Sequence, residues 1–312
     1  MRLVFFGTPD FAVPSLTALC EAGHDIPLVV TQPDRPVGRR GAPVPSAVAR
    51  AAAAAGLDVA KPERLRDDPA FLERIRSLAP DAGVVVAYGR ILPTALLEAP
   101  RLGFVNVHAS LLPRHRGAAP VQAAILAGDA ETGVVTMRVV PELDAGPLYL
   151  VRRVPIRPAD DAGTLSHRLA REGAELLAET LRGVAREALV PVPQRGEPTW
   201  SRPLRREDAE IDWTAPAEDI ARRLRAFSPW PGLYTFLDGE RIKLLAADAA
   251  AAAPEAAPPP GVLARIGEDA VAGAGGGTAL RLRRVQREGR TPVSGAEFLR
   301  GTRELPARLG RR

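Results

Sequence analysis

Through the first half of the chain, short apolar runs rich in Val, Ile and Phe alternate with stretches whose apolar positions recur every three or four residues. The apolar runs at residues 3–6, 26–31, 83–87, 104–107 and 134–140 predict strands, and the periodic stretches at 11–22, 46–55, 69–78 and 120–126 predict helices. Asp67 or Asp68 supplies the cap expected before the third helix, and a longer helix is predicted over 164–183. Strands alternating with helices predict an α/β class fold, a mostly parallel sheet covered by helices.

The pattern then changes. Pro191, Pro193, Pro198 and Pro203 fall among charged residues, so 190–206 is expected to be an extended linker. Short alternating runs at 241–245, 261–266 and 279–285, with one helix at 216–226, predict a smaller β-rich domain. The Ala- and Pro-rich tract 246–260 is expected to be a mobile loop within it. The expected division is a domain at 1–189, the linker at 190–206 and a second domain at 207–312, and 312 residues is a length that suits two hydrophobic cores.

Composition narrows the class. With 46% hydrophobic and 25% charged residues the chain falls in the soluble globular range. Its longest apolar runs, such as 84–87 and 51–55, are far short of the roughly 20 residues a membrane helix needs, so no membrane partner is expected. The opening Met1-Arg2-Leu3-Val4 has no signal-peptide layout, and a single cysteine, Cys20, offers neither a disulfide nor a metal cluster. A cytoplasmic protein with Cys20 buried on a helix is expected. The net charge of +5 is concentrated late: residues 261–312 carry 11 Lys and Arg against 5 Asp and Glu, with Arg281, Arg283, Arg284, Arg287 and Arg290 close together. That suits a polyanionic partner such as nucleic acid, and equally a solvated basic face.

Candidate chemistry sits at strand ends. The first strand leads into Gly7-Thr8-Pro9-Asp10, where a dinucleotide-binding protein carries G-x-G-x-x-G, and the missing fingerprint disfavours a nicotinamide oxidoreductase. Asn106 and His108 lie two apart on a strand and so project from one face at its C-terminal end. Burying an unpaired amide costs about 1–3 kcal/mol, so such a pair calls for a polar purpose; the alternative is that Asn106 bonds nearby backbone and His108 opens a loop. Asp144, set among small and turn-forming residues after another apolar run, reads by itself as an ordinary turn carboxylate. An amide donor, an imidazole and a carboxylate together are the parts for acyl transfer to an amine without a covalent intermediate. No G-x-S-x-G elbow accompanies them.

At these residues the chain resembles the folate-dependent formyltransferases. Their signature is Asn-x-His, then Ser-Leu-Leu-Pro, then Asp in a Leu-Asp-x-Gly turn, here Asn106, His108, Ser110-Leu111-Leu112-Pro113 and Leu143-Asp144-Ala145-Gly146. Gly7-Thr8-Pro9-Asp10-Phe11-Ala12, Thr31-Gln32-Pro33-Asp34-Arg35-Pro36, Val86-Ala87-Tyr88-Gly89, Arg116-Gly117-Ala118-Ala119-Pro120, Ile211-Asp212-Trp213 and Phe227-Ser228-Pro229-Trp230-Pro231-Gly232 resemble the branch of that family that formylates methionyl-tRNA. The likeness is dense over 1–235, thin beyond, and returns near 293–301.

The resemblance implies a Rossmann-like formyltransferase domain followed by an OB-like β-barrel. It implies 10-formyltetrahydrofolate as donor, held by Ser110, Leu111, Leu112 and Pro113, initiator methionyl-tRNA as acceptor, no metal, and a monomer. In the family an arginine and neighbouring lysines of the loop after the second strand wedge against the acceptor stem; here residues 35–42 supply Arg39 and Arg40 and no lysine. On this reading Asn106 bonds the formyl oxygen as it gains charge, His108 takes the amine's proton or carries one to the oxyanion, and Asp144 orients the imidazole and raises its pKa. The rivals are glycinamide ribonucleotide and sugar-nucleotide formyltransferases, distinguished by the C-terminal third, and a non-catalytic RNA-binding protein, against which the intact trio argues.

Overall fold

The computed structural model describes residues 1–36, 41–250 and 257–311. They form two compact units, residues 1–120, 131–155 and 166–202 in one, and 121–130, 156–165 and 203–312 in the other.

The first unit is built on β1 (Arg2–Gly7), β2 (Asp25–Val30), β3 (Val59–Ala60), β4 (Ala82–Val86), β5 (Phe104–His108), β6 (Glu131–Arg138) and β7 (Leu148–Pro155). The sheet order is β7-β6-β5-β4-β1-β2-β3, and β1 to β5 pair in parallel. The last two strands run antiparallel, β6 against β5 and β7 against β6. Residues 148–155 were not predicted as a strand, because Arg152 and Arg153 break the apolar pattern; both point into ion pairs at the sheet edge, with Glu172 and Glu175 and with Glu131. Every β1 residue after Arg2 is buried, as expected of a central parallel strand with helices on both faces.

The helices α1 (Val13–Glu21), α2 (Ala47–Ala54) and α3 (Pro69–Ser77) fall where apolar periodicity puts them. Ser46 caps α2 by accepting from the Ala49 N–H, and Asp68, the second of the two cap candidates, accepts from Phe71 N–H at 2.9 Å. Cys20 ends up half-buried on α1 rather than in the core. The core beneath β1 and β4 is keyed by Phe6, whose ring meets Tyr88 at 5.3 Å and Phe104 at 5.4 Å, both edge-on.

In the second unit, strands β8 (Tyr234–Leu237), β9 (Glu240–Ala249), β10 (Val262–Ile266), β11 (Asp269–Gly273), β12 (Ala279–Arg287) and β13 (Ala307–Arg308) form an antiparallel sheet in the order β8-β9-β12-β11-β10-β13. A bridge from Leu237 to Leu309 brings the first strand beside the last, so the sheet is a nearly closed, OB-like barrel. Ala246 to Ala249, expected in a loop, belong to β9 and pair with β12; the partner strand decides this over a low-complexity composition. Residues 251–256 of that tract lie outside the described residues. The returning likeness near 293–301 is a capping box: Ser294 accepts from Glu297 N–H while Glu297 accepts from Ser294 N–H, opening the helix Gly295–Arg300.

Removing the aromatic key should unfasten the first unit. Phe6→Ala is expected to cost about 3–5 kcal/mol, measured as accelerated amide exchange in β1 and β4.

Candidate active site

The parallel strands deliver three of the motifs to one place at their C-terminal ends. Thr8, after β1, donates its hydroxyl to the Tyr88 carbonyl at 3.0 Å, and Gln32, after β2, donates to the same carbonyl at 2.8 Å. Arg35 donates to Gln32 at 3.0 Å, tying down the short hairpin of residues 35–36 and 43–44. Arg39 and Arg40, expected to meet tRNA from that hairpin, lie outside the described residues.

One strand further on, β5 carries Asn106 and His108 on one face. Two residues of strand separate their Cα atoms by about 6.6 Å, a span one small molecule bridges. Asp144 comes from the loop between β6 and β7 and places Oδ1 3.6 Å from His108 Nδ1; the two side chains are 12% and 7% exposed. The other carboxylate oxygen accepts from Gly117 N–H at 2.8 Å. The Asn106 amide makes no hydrogen bond among the described residues, so it is an unused donor beside the imidazole.

The loop that presents Asp144 follows a path few residues allow. Asp144 has a φ of 49°, in the left-handed region that Asp tolerates better than most side chains. At Gly146 a Cβ would stand 1.8 Å from the Arg138 carbonyl oxygen, and at Gly117, where φ is 113°, it would stand 2.3 Å from that of Ser201. Both positions therefore require glycine.

His108 has an acceptor on either side: Asp144 at Nδ1 and the His115 carbonyl, 3.3 Å from Nε2. Burial pushes the imidazole below its usual pKa; Asp144 and then the His115 carbonyl pull it back up, while the charges of His115 and Arg116 push it down. The net direction is down, because contacts of 3.6 and 3.3 Å are too long to offset the loss of water. Asp144 does raise the pKa, as expected, but its pull is outweighed by burial, so the resting ring is neutral near pH 7.

Residues 110–113 follow β5 and pack partly inward. Ser110 is fully buried and donates to the Arg114 carbonyl at 2.6 Å, and Leu112 packs on Val135 and Met137. Leu111 lies against Gly133. The side chains of Ser110 and Leu112 are turned inward, while Leu111 is half-buried.

Residues missed by sequence reasoning lie in the expected linker. Val192 exchanges two backbone bonds with Leu148, and Trp200–Ser201 pairs with Arg116–Gly117. Thr199 accepts from His115 N–H at 2.8 Å, Gln194 bonds the Asp144 loop, and the Arg116 guanidinium lies 5.8 Å from the centre of the exposed Trp200 ring. Proline content concealed this; the one available signal was that the family likeness stays dense over residues 1–235, with no motif of its own in this stretch. In the second unit the arginine cluster is less free than its charge suggests. Arg281 pairs with Asp269, Arg283 with Asp248 and Arg287 with Glu240, while the exposed Arg284 and Arg290 have no ion pair among the described residues.

Residues 1–181 match the formyl transferase family and residues 203–303 match the formyl transferase C-terminal domain. A methionyl-tRNA formyltransferase from Thermus thermophilus is 48% identical over 99% of this chain and 99% of its own length. One from Thermobifida fusca is 49% identical over 97% of both. The chain belongs to the methionyl-tRNA formyltransferase family. Among solved structures, HypX from Aquifex aeolicus in complex with tetrahydrofolic acid superposes with a TM-score of 0.61 at 19% identity, over 96% of this chain and 47% of the HypX chain. This chain therefore spans about half of that one, and the likeness is one of fold. No helix among the described residues is long and apolar enough to cross a membrane, and no group of three or more His, Cys, Asp and Glu among them is placed to hold a metal.

The depressed imidazole has a measurable consequence. Followed by NMR in the ligand-free protein, His108 should titrate with a midpoint below the ordinary 6.5. Above pH 6.5 the ring is neutral whether folded or unfolded; below it the unfolded chain takes the proton first, so this group makes the fold less stable as the pH falls towards the folded midpoint. A midpoint above 6.5 contradicts the assignment.

Proposed function

We propose that this enzyme transfers the formyl group of 10-formyltetrahydrofolate to the free amino group of methionine esterified to initiator tRNA. The observation that carries the proposal is the contact of His108 with the Asp144 carboxylate at the end of β5, with Asn106 two residues back on the same strand, in a chain that also has the family's C-terminal domain.

The reaction needs a neutral amine to attack the formyl carbon, a donor for the charge that develops on the formyl oxygen, and a destination for the proton released. Asn106 supplies the donor; a single amide so placed is worth about 100- to 1000-fold in other acyl-transfer sites. His108, neutral at rest, accepts the amine proton as the nitrogen acquires positive charge. The charge then formed on the ring is faced by Asp144 at Nδ1, and the weak contact from Nε2 to the His115 carbonyl is one that an incoming amine can replace. Residues 110–113 are assigned to the folate, and Arg39 and Arg40 to the acceptor stem. Of the clustered arginines 281–290, Arg284 and Arg290 are the two assigned to the phosphate backbone. The catalytic domain is taken to span 1–189 and the tRNA-binding domain 207–312, in a monomer working in the cytoplasm.

The acceptor is tested by offering the protein 10-formyltetrahydrofolate with either methionyl-initiator tRNA or glycinamide ribonucleotide. Formylation of the tRNA alone is expected; formylation of the ribonucleotide alone overturns the assignment. In single turnovers with saturating donor, Asn106→Ala should lose about 100- to 1000-fold and His108→Ala about 100- to 10,000-fold, with folate affinity nearly unchanged. Parent-like rates in both variants would remove these residues from the chemistry.

A further inference from the structure

The Asp144 loop does not hold itself. Its backbone turns through a positive φ at Asp144 and runs close under Arg138; its own hydrogen bond, from Ala145 N–H to the Glu142 carbonyl, is long at 3.3 Å, and the shorter polar contacts to Asp144 and Gly146 come from outside the loop. The Gln194 side-chain nitrogen donates one hydrogen to the Asp144 carbonyl and the other to the Gly146 carbonyl, each at 2.8 Å. Its oxygen accepts from the Arg116 guanidinium at 2.6 Å. With carbonyls on one side and a cation on the other, only one orientation of the amide satisfies all three partners, so the side chain is fully used and fixed. Arg116 is in turn next to Gly117, whose N–H bonds the Asp144 carboxylate. Gln194 thus links the backbone on both sides of residue 145 to the residue beside the group that orients the carboxylate.

The strand of chain that carries Gln194 is itself pinned at both ends. Val192 and Leu148 exchange backbone bonds of 2.7 and 2.8 Å, and beyond it Arg116 N–H donates to the Thr199 carbonyl at 2.8 Å and Ala118 N–H to that of Ser201 at 2.9 Å. A residue held at both flanks and bonded at every polar atom acts as a clamp of fixed length. Asp144 needs one, because its contact with His108 is already 3.6 Å, and a further displacement of about 1 Å at a reacting centre can cost about 100-fold.

We infer that Gln194 is a positioning residue that sets the Asp144 carboxylate against His108 through its two carbonyl contacts. The inference rests on the proposed role of Asp144. It is distinct from a simpler role, in which Gln194 only tethers its own segment to Arg116. Two substitutions separate them. Gln194→Glu keeps an oxygen acceptor for Arg116 but replaces the donor with an oxygen facing two carbonyls; Gln194→Met has neither function. The clamp predicts that both variants lose about 10- to 100-fold in kcat for formyl transfer, with KM for the folate donor within about twofold and melting temperature preserved in Gln194→Glu. A Gln194→Glu enzyme with the parent's kcat overturns the inference, whatever Gln194→Met does. Asp144→Asn, measured alongside, keeps the two failures apart. If that variant is slow and Gln194→Glu is not, only the clamp is wrong; if Asp144→Asn is itself as fast as the parent, the reading of Asp144 falls and the clamp with it.

Discussion

A carboxylate kept almost dry beside an imidazole is an arrangement that does not persist unless something other than the pair enforces it. Asp144 and His108 lose most of their water and recover only a long contact between them, while burial drives the imidazole towards its neutral form. The enforcement comes from backbone: Gly117 donates to the carboxylate, Gly146 lets the loop pass under Arg138, and Gln194 grips the carbonyls on both sides. These contacts converge from the ends of β5 and β6 and from residues 190–201, so the sheet, the loop and the expected linker are all answerable to the position of one carboxylate.

That electrostatic balance suits a base more than an acid. A ring held neutral by burial is ready to accept the proton of an attacking amine, and a carboxylate at its far nitrogen becomes useful once the proton has arrived. Asn106 completes the arrangement by offering an amide that has no hydrogen-bond partner among the described residues. The barrel makes a different contribution. Most of its clustered arginines are balanced within its own surface by Asp269, Asp248 and Glu240, in exposed pairs that water screens. Their excess charge is therefore smaller than a sequence count implies and is concentrated on Arg284 and Arg290.

The catalytic half of the molecule was readable because its elements obey simple periodicities. β1, β2, β4 and β5 are apolar runs buried on both faces, and Ser46 and Asp68 open helices with the side chains that caps require. Asn106 and His108 stood out because a strand period of two puts both on one face. β7 escaped notice because its arginines are satisfied by glutamates far away in sequence, and Ala246 to Ala249 because only their partner strand makes them a strand. Gln194 was hidden for the same kind of reason. Its partners lie 48 to 78 residues away, and nothing local in a proline-rich stretch announces them. The direction of the His108 shift depended on burial, a quantity that a motif does not contain.

The central claim is that one formyl group is held between Asn106 and His108. A crystal structure of the protein with a stable formylated folate analogue tests it most directly. The formyl oxygen should lie about 2.7–3.1 Å from the Asn106 side-chain nitrogen, with the formyl carbon open on the side of His108. A formyl group turned away from both side chains, with the Asn106 amide bonded elsewhere, would contradict it.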